Sequence, residues 1–509
     1  MPRLLLAQIP IIISQPVSWT QWVGGYVTFS VGISNAGPFT CQWQFNGTNL
    51  SNNFITTVAG NGAAAYAGDG RPATTASLYY PQGVGFDVLG NLYIADNNND
   101  RVRRVDTNGI ITTVAGNGAF SSSGGGSFSS DGGAATNAGL YRPNNVTFDA
   151  AGNMFIADIF NNRVRKVDTN GIITTVAGKT TTQGFSGDGG AATNAVFNYP
   201  ADVAFDGRGN WFIADLFNHR VRKVDTNGII NTVAGGGSQT PGDGGAATNA
   251  ALSVVQGVAL DTTGNLYIAD TGAGRVQKVD TNGIITTIAG GGANLSANGI
   301  MATNAQLYKP WGVALDAIGN IFFADEGYNL VRKVDTNGII TTVAGNIFAH
   351  GFSGDGGAAT NAALYGPACV ALDGAGDLFI ADWNNNRIRK VTNTQGPILS
   401  LSNVGSGNQG WYQLVVTGAG GSVTSSVVNL TVVSTPLIYQ TEANSNGSIR
   451  LNCVSKPGST NIVFCAASLV PPVVWQPVST NTAAPDGDWQ FTDTKAVGNQ
   501  NLFYRFVMQ

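Results

Sequence analysis

Residues 161–178 read NNRVRKVDTNGIITTVAG, and this stretch decides the fold. Apolar and polar residues alternate through 164–167 and again through 172–176, with Asp168-Thr169-Asn170-Gly171 between the two runs. A period of two on both sides of an Asn-Gly turn predicts a β-hairpin. Nearly the same hairpin recurs after Asp100, Asn218-His219, Gly274, Asn329 and Asn386. The chain therefore contains a repeat whose unit ends in this hairpin.

Each repeat has two more strands before the hairpin. In the first copy these are residues 83–87 and 92–96, and the turn between them ends in Gly90-Asn91. The second strand returns at Met154, Trp211, Leu266, Ile321 and Leu378. Six units of four antiparallel strands predict an all-β fold with a six-bladed β-propeller. A solenoid is the alternative, but it needs capping repeats, and none is visible in the sequence.

The last copy ends at Val391 after three strands, whereas a spare fourth strand, residues 54–60, precedes the first copy. We expect residues 54–60 to pair with residues 387–391 as the outermost strand of the last blade. Residues 54–393 would then form one ring. The flanking segments leave from the position of the missing hairpin turn, so inserting the ring adds little loop-closure entropy to its host.

The flanking segments, residues 8–53 and 394–434, read as short strands. Residues 408–414 resemble the tyrosine corner of immunoglobulin-like domains, in which a tyrosine hydroxyl bonds to the backbone. The position of the second cysteine in that motif is Leu414 here, and its partner would be Phe29. The resemblance implies one immunoglobulin-like sandwich that is cut in two by the propeller.

The motifs Gly-Val-Ala-x-Asp, Gly-Asn-Leu-Tyr-Ile-Ala-Asp and Asn-Arg-Val-Arg-Lys-Val resemble NHL repeats across residues 54–393. The resemblance implies the same six-bladed propeller. Gly-Asp-Gly-Gly-Ala-Ala-Thr-Asn-Ala connectors such as residues 187–195 are similar to those of exported bacterial NHL arrays. Some NHL proteins bind RNA, but a net charge of −4 and a pI of about 5.2 give this chain no electrostatic reason to bind nucleic acid.

The remaining segment, residues 435–509, is expected to be a separate sandwich-like β module that resembles C-terminal modules of large bacterial exported proteins. Cys453 and Cys465 flank a Lys-Pro-Gly-Ser-Thr turn that could place them across a hairpin, and a disulfide or two buried thiols fit equally well. The apolar stretch at the N-terminus is too short for an intact signal peptide. Composition and domain type nevertheless predict an extracellular or cell-surface protein without a membrane span.

Catalytic signals are poor. His219 and His350 are the two histidines, too few for the zinc site that amidating lyases build on this fold. No serine nucleophile elbow, phosphate-binding motif or Cys–His arrangement occurs. The Gly-Asp-Gly-Gly connectors lack the spaced oxygen ligands of a calcium loop and are expected to form turns. We expect neither a cofactor nor a catalytic metal. The alternative is a lactonase- or lyase-type enzyme with a channel cation held by Asn145 and Asp202.

Each second strand ends in Asp, and in five copies an Arg follows five residues later. The pairs are Asp96/Arg101, Asp158/Arg163, Asp215/Arg220, Asp270/Arg275 and Asp382/Arg387. We expect turn-holding ion pairs of small energy. In the fifth copy Leu330 replaces the Arg, which would leave Asp325 and Glu326 unpaired as a conceivable cation or ligand site.

The variable loops predict the binding surface. Antiparallel strands place the uniform Gly-Asn and Thr-Asn-Gly turns on one rim, and the Ala-Asp loops and connectors on the other. The channel mouth should be lined by Tyr80, Arg142, Asn145, Tyr199, Asp202, Lys309 and Trp311. Loop aromatics should lie outside them: Phe160, Phe217, Tyr328 and Trp383. Such faces suit a sugar or a peptide, although packing under the connectors is an equal alternative.

These patterns favour an exported, non-enzymatic binding or adhesion protein whose variable rim binds glycan or protein. Self-assembly through exposed sandwich edges is a further alternative.

Overall fold

The computed structural model describes residues 9–22, 25, 27–34, 39–50, 53–119, 128–129, 131–295, 298–394, 396–401, 404–418, 420–433, 437–443, 448–454, 459–466, 476–483, 488–493 and 503–508. The chain divides into two compact units. One unit takes in residues 1–38, 43–49 and 401–509, and the other takes in residues 39–42 and 50–400.

The strands are numbered in chain order. The first six are β1–β6: Ile11–Ser14, Trp19–Trp22, Val27–Ser30, Gly32–Ser34, Phe39–Phe45 and Thr48–Asn49. They are followed by β7 (Ile55–Ala59) and β8 (Arg71–Pro72). The first blade is β9–β12: Pro81–Phe86, Leu92–Asp96, Arg101–Val105 and Ile110–Ala115. The second blade, with edge strand β13 (Gly133–Ala134), is β14–β17: Pro143–Phe148, Met154–Asp158, Arg163–Val167 and Ile172–Ala177.

The third blade, with edge strand β18 (Gly190–Ala191), is β19–β22: Pro200–Phe205, Trp211–Asp215, Arg220–Val224 and Ile229–Gly235. The fourth is β23–β26: Val255–Leu260, Leu266–Asp270, Arg275–Val279 and Ile285–Gly290. The fifth, with edge strand β27 (Ile300–Met301), is β28–β31: Pro310–Leu315, Ile321–Asp325, Leu330–Val334 and Ile339–Ala344. The sixth is β32–β34: Pro367–Leu372, Leu378–Asp382 and Arg387–Val391.

The described helices are short 3-10 turns in the connectors and Ala-Asp loops, with one more, Ser406–Asn408, outside the propeller. They are Ala73–Thr75, Asn97–Asn99, Ala135–Asn137, Ile159–Asn161, Ala192–Asn194, Leu216–Asn218, Ala247–Asn249, Ala302–Asn304, Glu326–Tyr328, Ala359–Asn361, Trp383–Asn385 and Ser406–Asn408. No helix among the described residues is long and apolar enough to cross a membrane.

Local chemistry explains the hairpin at residues 161–178. The Asp168 carboxylate accepts hydrogen bonds of 2.9 Å from the backbone N–H groups of Asn170 and Ile172. Gly171 has a φ of +79°, a left-handed conformation that glycine adopts without steric cost. The two strands then pair in antiparallel register from Val167 opposite Ile173. The hairpin predicted from the Asn-Gly turn is therefore present.

The blades pack side by side through the apolar faces of their strands. Residues of the second strands are buried in every blade, among them Ile94, Ile156, Ile213, Ile268, Phe323 and Ile380. Each innermost strand lies against the innermost strand of the next blade, and β32 of the sixth blade lies against β9 of the first. The six sheets are open, separate sheets arranged in a circle, as in a propeller.

Strand β7 completes the sixth blade. It pairs antiparallel with β34, with Ile55 opposite Val391 and Ala59 opposite Ile388. The backbone N–H of Thr392 donates to the Phe54 carbonyl at 3.0 Å, which continues the ladder. The pairing predicted between residues 55–58 and Arg387–Val391 is thus present.

In the other unit, strands from both flanks of the propeller share one sheet. The next strand of the chain, β35 (Ile398–Leu401), belongs to this unit only at Leu401, and β36–β38 follow in it: Gly410–Gly418, Gly421–Thr424 and Val428–Val433. The sheet has the order β2-β38-β36-β5-β6. The Tyr412 hydroxyl donates to the Asn408 carbonyl at 2.6 Å, and the Tyr412 ring stacks on Phe29 at 4.7 Å. A buried tyrosine–backbone hydrogen bond was expected here from the tyrosine-corner resemblance.

The last strands form two three-stranded sheets. They are β39–β44: Leu437–Ala443, Ile449–Val454, Thr460–Ala466, Gln476–Thr482, Asp488–Asp493 and Phe503–Met508. The sheets have the orders β39-β40-β43 and β42-β41-β44, and they share an apolar cluster around Cys453, Val463 and Trp489. Cys453 and Cys465 are free thiols on strands of different sheets. The predicted hairpin between them is wrong because β40 and β41 each pair with other strands.

Candidate functional site

A relay of hydrogen bonds joins neighbouring blades on the rim of the Ala-Asp loops. The residue before each innermost strand has a left-handed φ between +51° and +61°: Tyr80, Arg142, Tyr199, Val254, Lys309 and Gly366. In five of the six, its N–H donates to a side chain at the end of the preceding Ala-Asp loop. The pairs are Tyr80–Asn386, Arg142–Asp100, Tyr199–Asn162, Val254–His219 and Gly366–Asn329, at 2.7–3.0 Å. His219 is therefore a structural acceptor through Nδ1.

The ion pairs on this rim differ from those expected. Asp96 pairs at 3.2 Å with Arg103, which lies seven residues later, and not with Arg101. The same spacing holds for Asp158–Arg165, Asp215–Arg222 and Asp382–Arg389, at 3.3–3.4 Å. Both partners are fully buried, so each charge needs the other. Burial nevertheless raises the pKa of Asp96 to about 6.

Arg101 and its counterparts have a different role. The Arg101 guanidinium donates at 2.9 Å to the carbonyls of Asn99 and Asn117, and it lies 3.7 Å from the centre of the Tyr66 ring. Connector aromatics cover the corresponding arginines in three more blades: Phe128 with Arg163, Phe185 with Arg220 and Phe352 with Arg387. These cation–π contacts hold the connectors to the blades. No pattern in the sequence predicted these contacts.

The Gly-Asp-Gly-Gly connectors supply a second carboxylate to the same buried arginine. Arg103 pairs with Asp69 at 2.6 Å, and the other pairs are Arg165–Asp131, Arg222–Asp188 and Arg389–Asp355. The connector carboxylate is only partly exposed, at 34% for Asp69. Its role is therefore electrostatic as well as turn-forming. The constant separation of 34 residues between connector Asp and Arg is a signal that could have revealed the pair.

The centre of the propeller is nearly filled by side chains. Its lining includes Gln82, Asn144, Asn145, Asp202, Gln256 and Trp311, and the space between the lining residues is about 20 Å³. That volume suits roughly one water molecule. The predicted channel residues Asn145, Asp202 and Trp311 do meet here, whereas Tyr80, Arg142, Tyr199 and Lys309 belong to the rim relay above.

Asp202 joins three blades at this centre. Its carboxylate accepts hydrogen bonds from the Asn145 amide, from the Val203 N–H at 2.7 Å and from the Val258 N–H at 2.8 Å. Burial raises the pKa of Asp202 to about 7, and the three donors act in the opposite direction. N–H donors thus surround the carboxylate where a cation site would need further oxygen ligands. Among the described residues there is no group of three His, Cys, Asp or Glu that could hold a metal ion.

Two runs of aromatic contacts cover the rim outside the centre. The first run joins Tyr141 to Phe160, Phe160 to Tyr199 and Tyr199 to Phe217, with ring centroids 4.8–5.5 Å apart. The Arg142 guanidinium lies 5.1 Å from the Phe160 ring. Phe217, at the end of the run, is 46% exposed. The first run crosses the loops of the second and third blades.

The second run joins Tyr79, Tyr80, Trp383 and Trp311, with centroids 4.9–5.4 Å apart. Tyr308 and Tyr328 form a separate pair at 5.6 Å in the fifth blade. Residues predicted for the channel mouth and residues predicted for the outer loops are therefore in direct contact with each other. Sequence reasoning missed Tyr79, Tyr141 and Tyr308, although each immediately precedes a residue of the left-handed relay.

Comparison with known proteins agrees with this geometry. The profile of the Teneurin NHL domain matches residues 48–130, 124–186, 236–298 and 291–350, and the NHL repeat profile matches residues 364–391. This chain contains NHL repeats. Human Teneurin-1 is 26% identical over 425 residues, which is 77% of this chain but 14% of Teneurin-1. The chain thus spans about one seventh of the length of that relative.

Two other proteins are similar to the NHL part. Protein SUPPRESSOR OF QUENCHING 1, chloroplastic, from Arabidopsis thaliana is 28% identical over 338 residues, covering 63% of this chain and 31% of the plant protein. A crystal structure of a protein of unknown function from Bacteroides thetaiotaomicron has a TM-score of 0.50 at 15% identity, over 77% of this chain and 98% of that one. The latter supports the propeller fold alone.

The fourth and fifth blades of the NHL domain depart from the repeat. Gln277 replaces the buried arginine in the fourth blade, and its Nε2 donates to the Pro241 carbonyl at 3.3 Å. Burial raises the pKa of Asp270, which has lost that arginine, to about 7. In the fifth blade the uncharged residue Asn298 stands where the other blades have the connector Asp, 34 residues before Arg332.

The expectation of an unpaired carboxylate pair in the fifth blade is wrong. Glu326 pairs with Lys309 at 3.7 Å. Burial raises the pKa of Asp325 to about 7, and the Tyr308 N–H and the Arg332 charge act in the opposite direction. In four other blades an asparagine three residues after the Asp donates to its Oδ2, but Tyr328 holds that position here, and Asp325 Oδ2 has no hydrogen-bond partner among the described residues.

Proposed function

We propose that this chain is an exported, non-enzymatic binding or adhesion protein. Its NHL propeller, residues 54–393, presents the aromatic rim of the Ala-Asp loops to an extracellular glycan or protein. Residues 8–53 and 394–434 form an immunoglobulin-like sandwich that carries the propeller as an insertion, and residues 435–509 act as a further spacer or attachment module.

The observation that carries the proposal is the pair of aromatic runs on one rim. Rings in mutual contact keep their orientation, so little conformational entropy is lost when a ligand stacks on them. Aromatic residues with Arg and Lys beside them are also the residues that dominate binding energy in protein interfaces. The described turns of the opposite rim are short and uniform and contain no such cluster.

The filled centre supports binding on the rim over chemistry in the channel. A space of about 20 Å³ does not admit an organic substrate. Asp202, the most perturbed carboxylate there, is engaged with N–H groups of three blades. It therefore fits a structural role.

The test is a binding screen of the purified chain on glycan and extracellular-protein arrays, with a parallel turnover assay on lactone, peptide-amide and glycan substrates. We expect saturable binding to at least one array member, reduced at least tenfold by Tyr199→Ala or Trp383→Ala. Turnover of any substrate above the buffer rate would contradict the proposal.

A further inference from the structure

The seam between the fourth and fifth blades lacks the side-chain acceptor that the relay has at its five other seams. The position held elsewhere by Asp100, Asn162, His219, Asn329 and Asn386 is Gly274. Gly274 keeps the same left-handed backbone, with a φ of +62°. At the other seams the corresponding N–H donates to this acceptor. The backbone N–H of Lys309 has no hydrogen-bond partner among the described residues.

The loop beside this vacant position is built of small residues. The fourth blade reads Thr271-Gly272-Ala273-Gly274 where the third has Leu216-Phe217-Asn218-His219. Thr271 Oγ1 donates to the Pro310 carbonyl at 2.6 Å, so the two blades remain joined. The loop on the far side carries Tyr328. The loop of the fourth blade therefore has small side chains, whereas the loops of the third and fifth blades bear Phe217 and Tyr328.

A charged and aromatic group borders the vacant position. The Lys309 side chain is 53% exposed, and its Nζ lies 5.5 Å from the Tyr308 ring and 3.7 Å from Glu326. The Tyr308 ring is 50% exposed and packs on Gly327, where an added Cβ would come within 2.1 Å of the ring. Contact with Gly327 and Tyr328 fixes the orientation of this ring.

The seam between the first and second blades shows which ligand chemistry fits. There the acceptor is a carboxylate, since Asp100 Oδ1 accepts from the Arg142 N–H at 2.7 Å. Arg142 is the cation at the position of Lys309. Burial raises the pKa of Asp100 to about 6, and the Arg142 N–H and charge act in the opposite direction. The seam between the fourth and fifth blades keeps the cation and the N–H group, and Glu326 pairs with the Lys309 side chain, but no carboxylate takes the position of Asp100.

We propose that this seam binds an acidic carbohydrate, with the carboxylate of a uronic acid at the position that Gly274 leaves open. The Lys309 N–H and Nζ donate to the carboxylate, in the way that the Arg142 N–H donates to Asp100. The exposed face of Tyr308 stacks on the pyranose ring. Glu326 accepts hydrogen bonds from sugar hydroxyls and disfavours a densely charged peptide or sulfated chain.

This inference rests on the proposed binding role and names its ligand class. The test is calorimetric titration of the full chain with oligogalacturonic and oligoglucuronic acids, and with neutral oligosaccharides of the same length. We expect binding of at least one acidic oligomer that is at least tenfold tighter than binding of its neutral counterpart. The affinity should fall as salt rises, because one ion pair contributes.

Two variants and a matched control locate the site. Gly274→Asn inserts the acceptor found at other seams, and asparagine tolerates the left-handed backbone. Its Cβ would lie 3.0 Å from the Leu307 carbonyl oxygen, so a small backbone shift accompanies the substitution, and thermal denaturation checks that the variant folds. The folded variant should lose binding at least tenfold. Lys309→Gln should lose a similar factor without any change at the vacant position. Arg208→Gln removes an exposed cation from a Gly-Asn turn on the opposite rim, and it should bind like the unmodified chain.

Unchanged binding of acidic oligomers by Gly274→Asn and Lys309→Gln would overturn the inference, as would equal binding of neutral and acidic oligomers or tighter binding of an acidic peptide. If Tyr199→Ala loses binding and Gly274→Asn does not, the proposed seam site is wrong and the proposed binding function of the rim is retained. If the chain binds no array member, both the proposed binding function and the proposed seam site are contradicted.

Discussion

Replacement of Ile55 by Ala tests whether strand β7 stabilises the sixth blade of the propeller. Ile55 is fully buried, 0% exposed, in an apolar cluster with Ile380 and Val391 of the sixth blade. The substitution removes three carbon atoms, a transfer loss of about 2.4 kcal/mol at about 0.8 kcal/mol each. The cavity left behind adds to this, so the total cost in unfolding free energy should be about 3–5 kcal/mol.

Ile173→Ala is the matched control. Ile173 holds the equivalent position in β17 of the second blade and is also 0% exposed, but its strand is contiguous with its blade in sequence. Hydrogen exchange under native conditions, read by mass spectrometry, should show faster exchange in β33 and β34 for Ile55→Ala, and in β15 and β16 for Ile173→Ala. Urea midpoints should fall by comparable amounts. Unaltered exchange in β33 and β34 with Ile55→Ala, beside a full effect of Ile173→Ala, would refute the closure.

Three further predictions concern buried polar groups. Asp377→Asn should lower the unfolding free energy by about 3–5 kcal/mol in urea titrations, because Asp377 and Lys390 are buried and paired at 2.6 Å. A double variant with Asp377→Asn and Lys390→Met should recover part of the loss. No recovery would contradict the pairing. Tyr412→Phe should cost about 1–2 kcal/mol by leaving the Asn408 carbonyl without its donor, which thermal denaturation can measure against Tyr365→Phe, a residue that is 45% exposed. Stability should fall as pH rises from about 4 through 7, by roughly 1–3 kcal/mol per group, because burial raises the folded-state pKa from 3.8 to about 7 in Asp202, Asp270 and Asp325. The protonated form is the one the fold favours, so greater urea stability at pH 8 than at pH 5 would contradict the last prediction.

Local signals predicted most of the propeller. The turn at Asp168 and Gly171 is encoded within four residues, because one carboxylate and one left-handed glycine suffice to form it. The closing strand was predictable for a different reason. Only the last repeat lacks its fourth strand, so residues 54–60 can fill only that position. Periodicity carries both signals, and neither depends on side chains far away in sequence.

Predictions that depended on side-chain direction were less successful. The ion pair of Asp96 goes to Arg103 because that arginine is buried and needs a counter-charge, whereas Arg101 reaches loop carbonyls under Tyr66. Spacing alone does not distinguish two arginines on the same strand face. The hairpin that could have brought Cys453 and Cys465 together is absent for a related reason, since a turn-like segment between two strands does not fix which strands pair.

The candidate site was predictable by class but not by detail. Aromatic residues at Tyr199 and Trp383 were identified on the variable rim, yet their contacts with Phe160 and Trp311 depend on how neighbouring blades meet. The missing acceptor at Gly274 could not be predicted from the sequence. A glycine in a loop is significant here only because the other five equivalent positions all accept a hydrogen bond from the next blade.

Binding by paired rim variants tests the central claim most directly. The purified chain, Trp383→Ala on the aromatic rim and Leu89→Ala on the opposite rim should be compared against the strongest array ligand by surface plasmon resonance. Leu89 is 75% exposed in a Gly-Asn turn, so its loss should leave stability unchanged. We predict that Trp383→Ala weakens binding at least tenfold and that Leu89→Ala does not alter it. Binding that survives Trp383→Ala but is lost in Leu89→Ala would contradict the assignment of function to the aromatic rim.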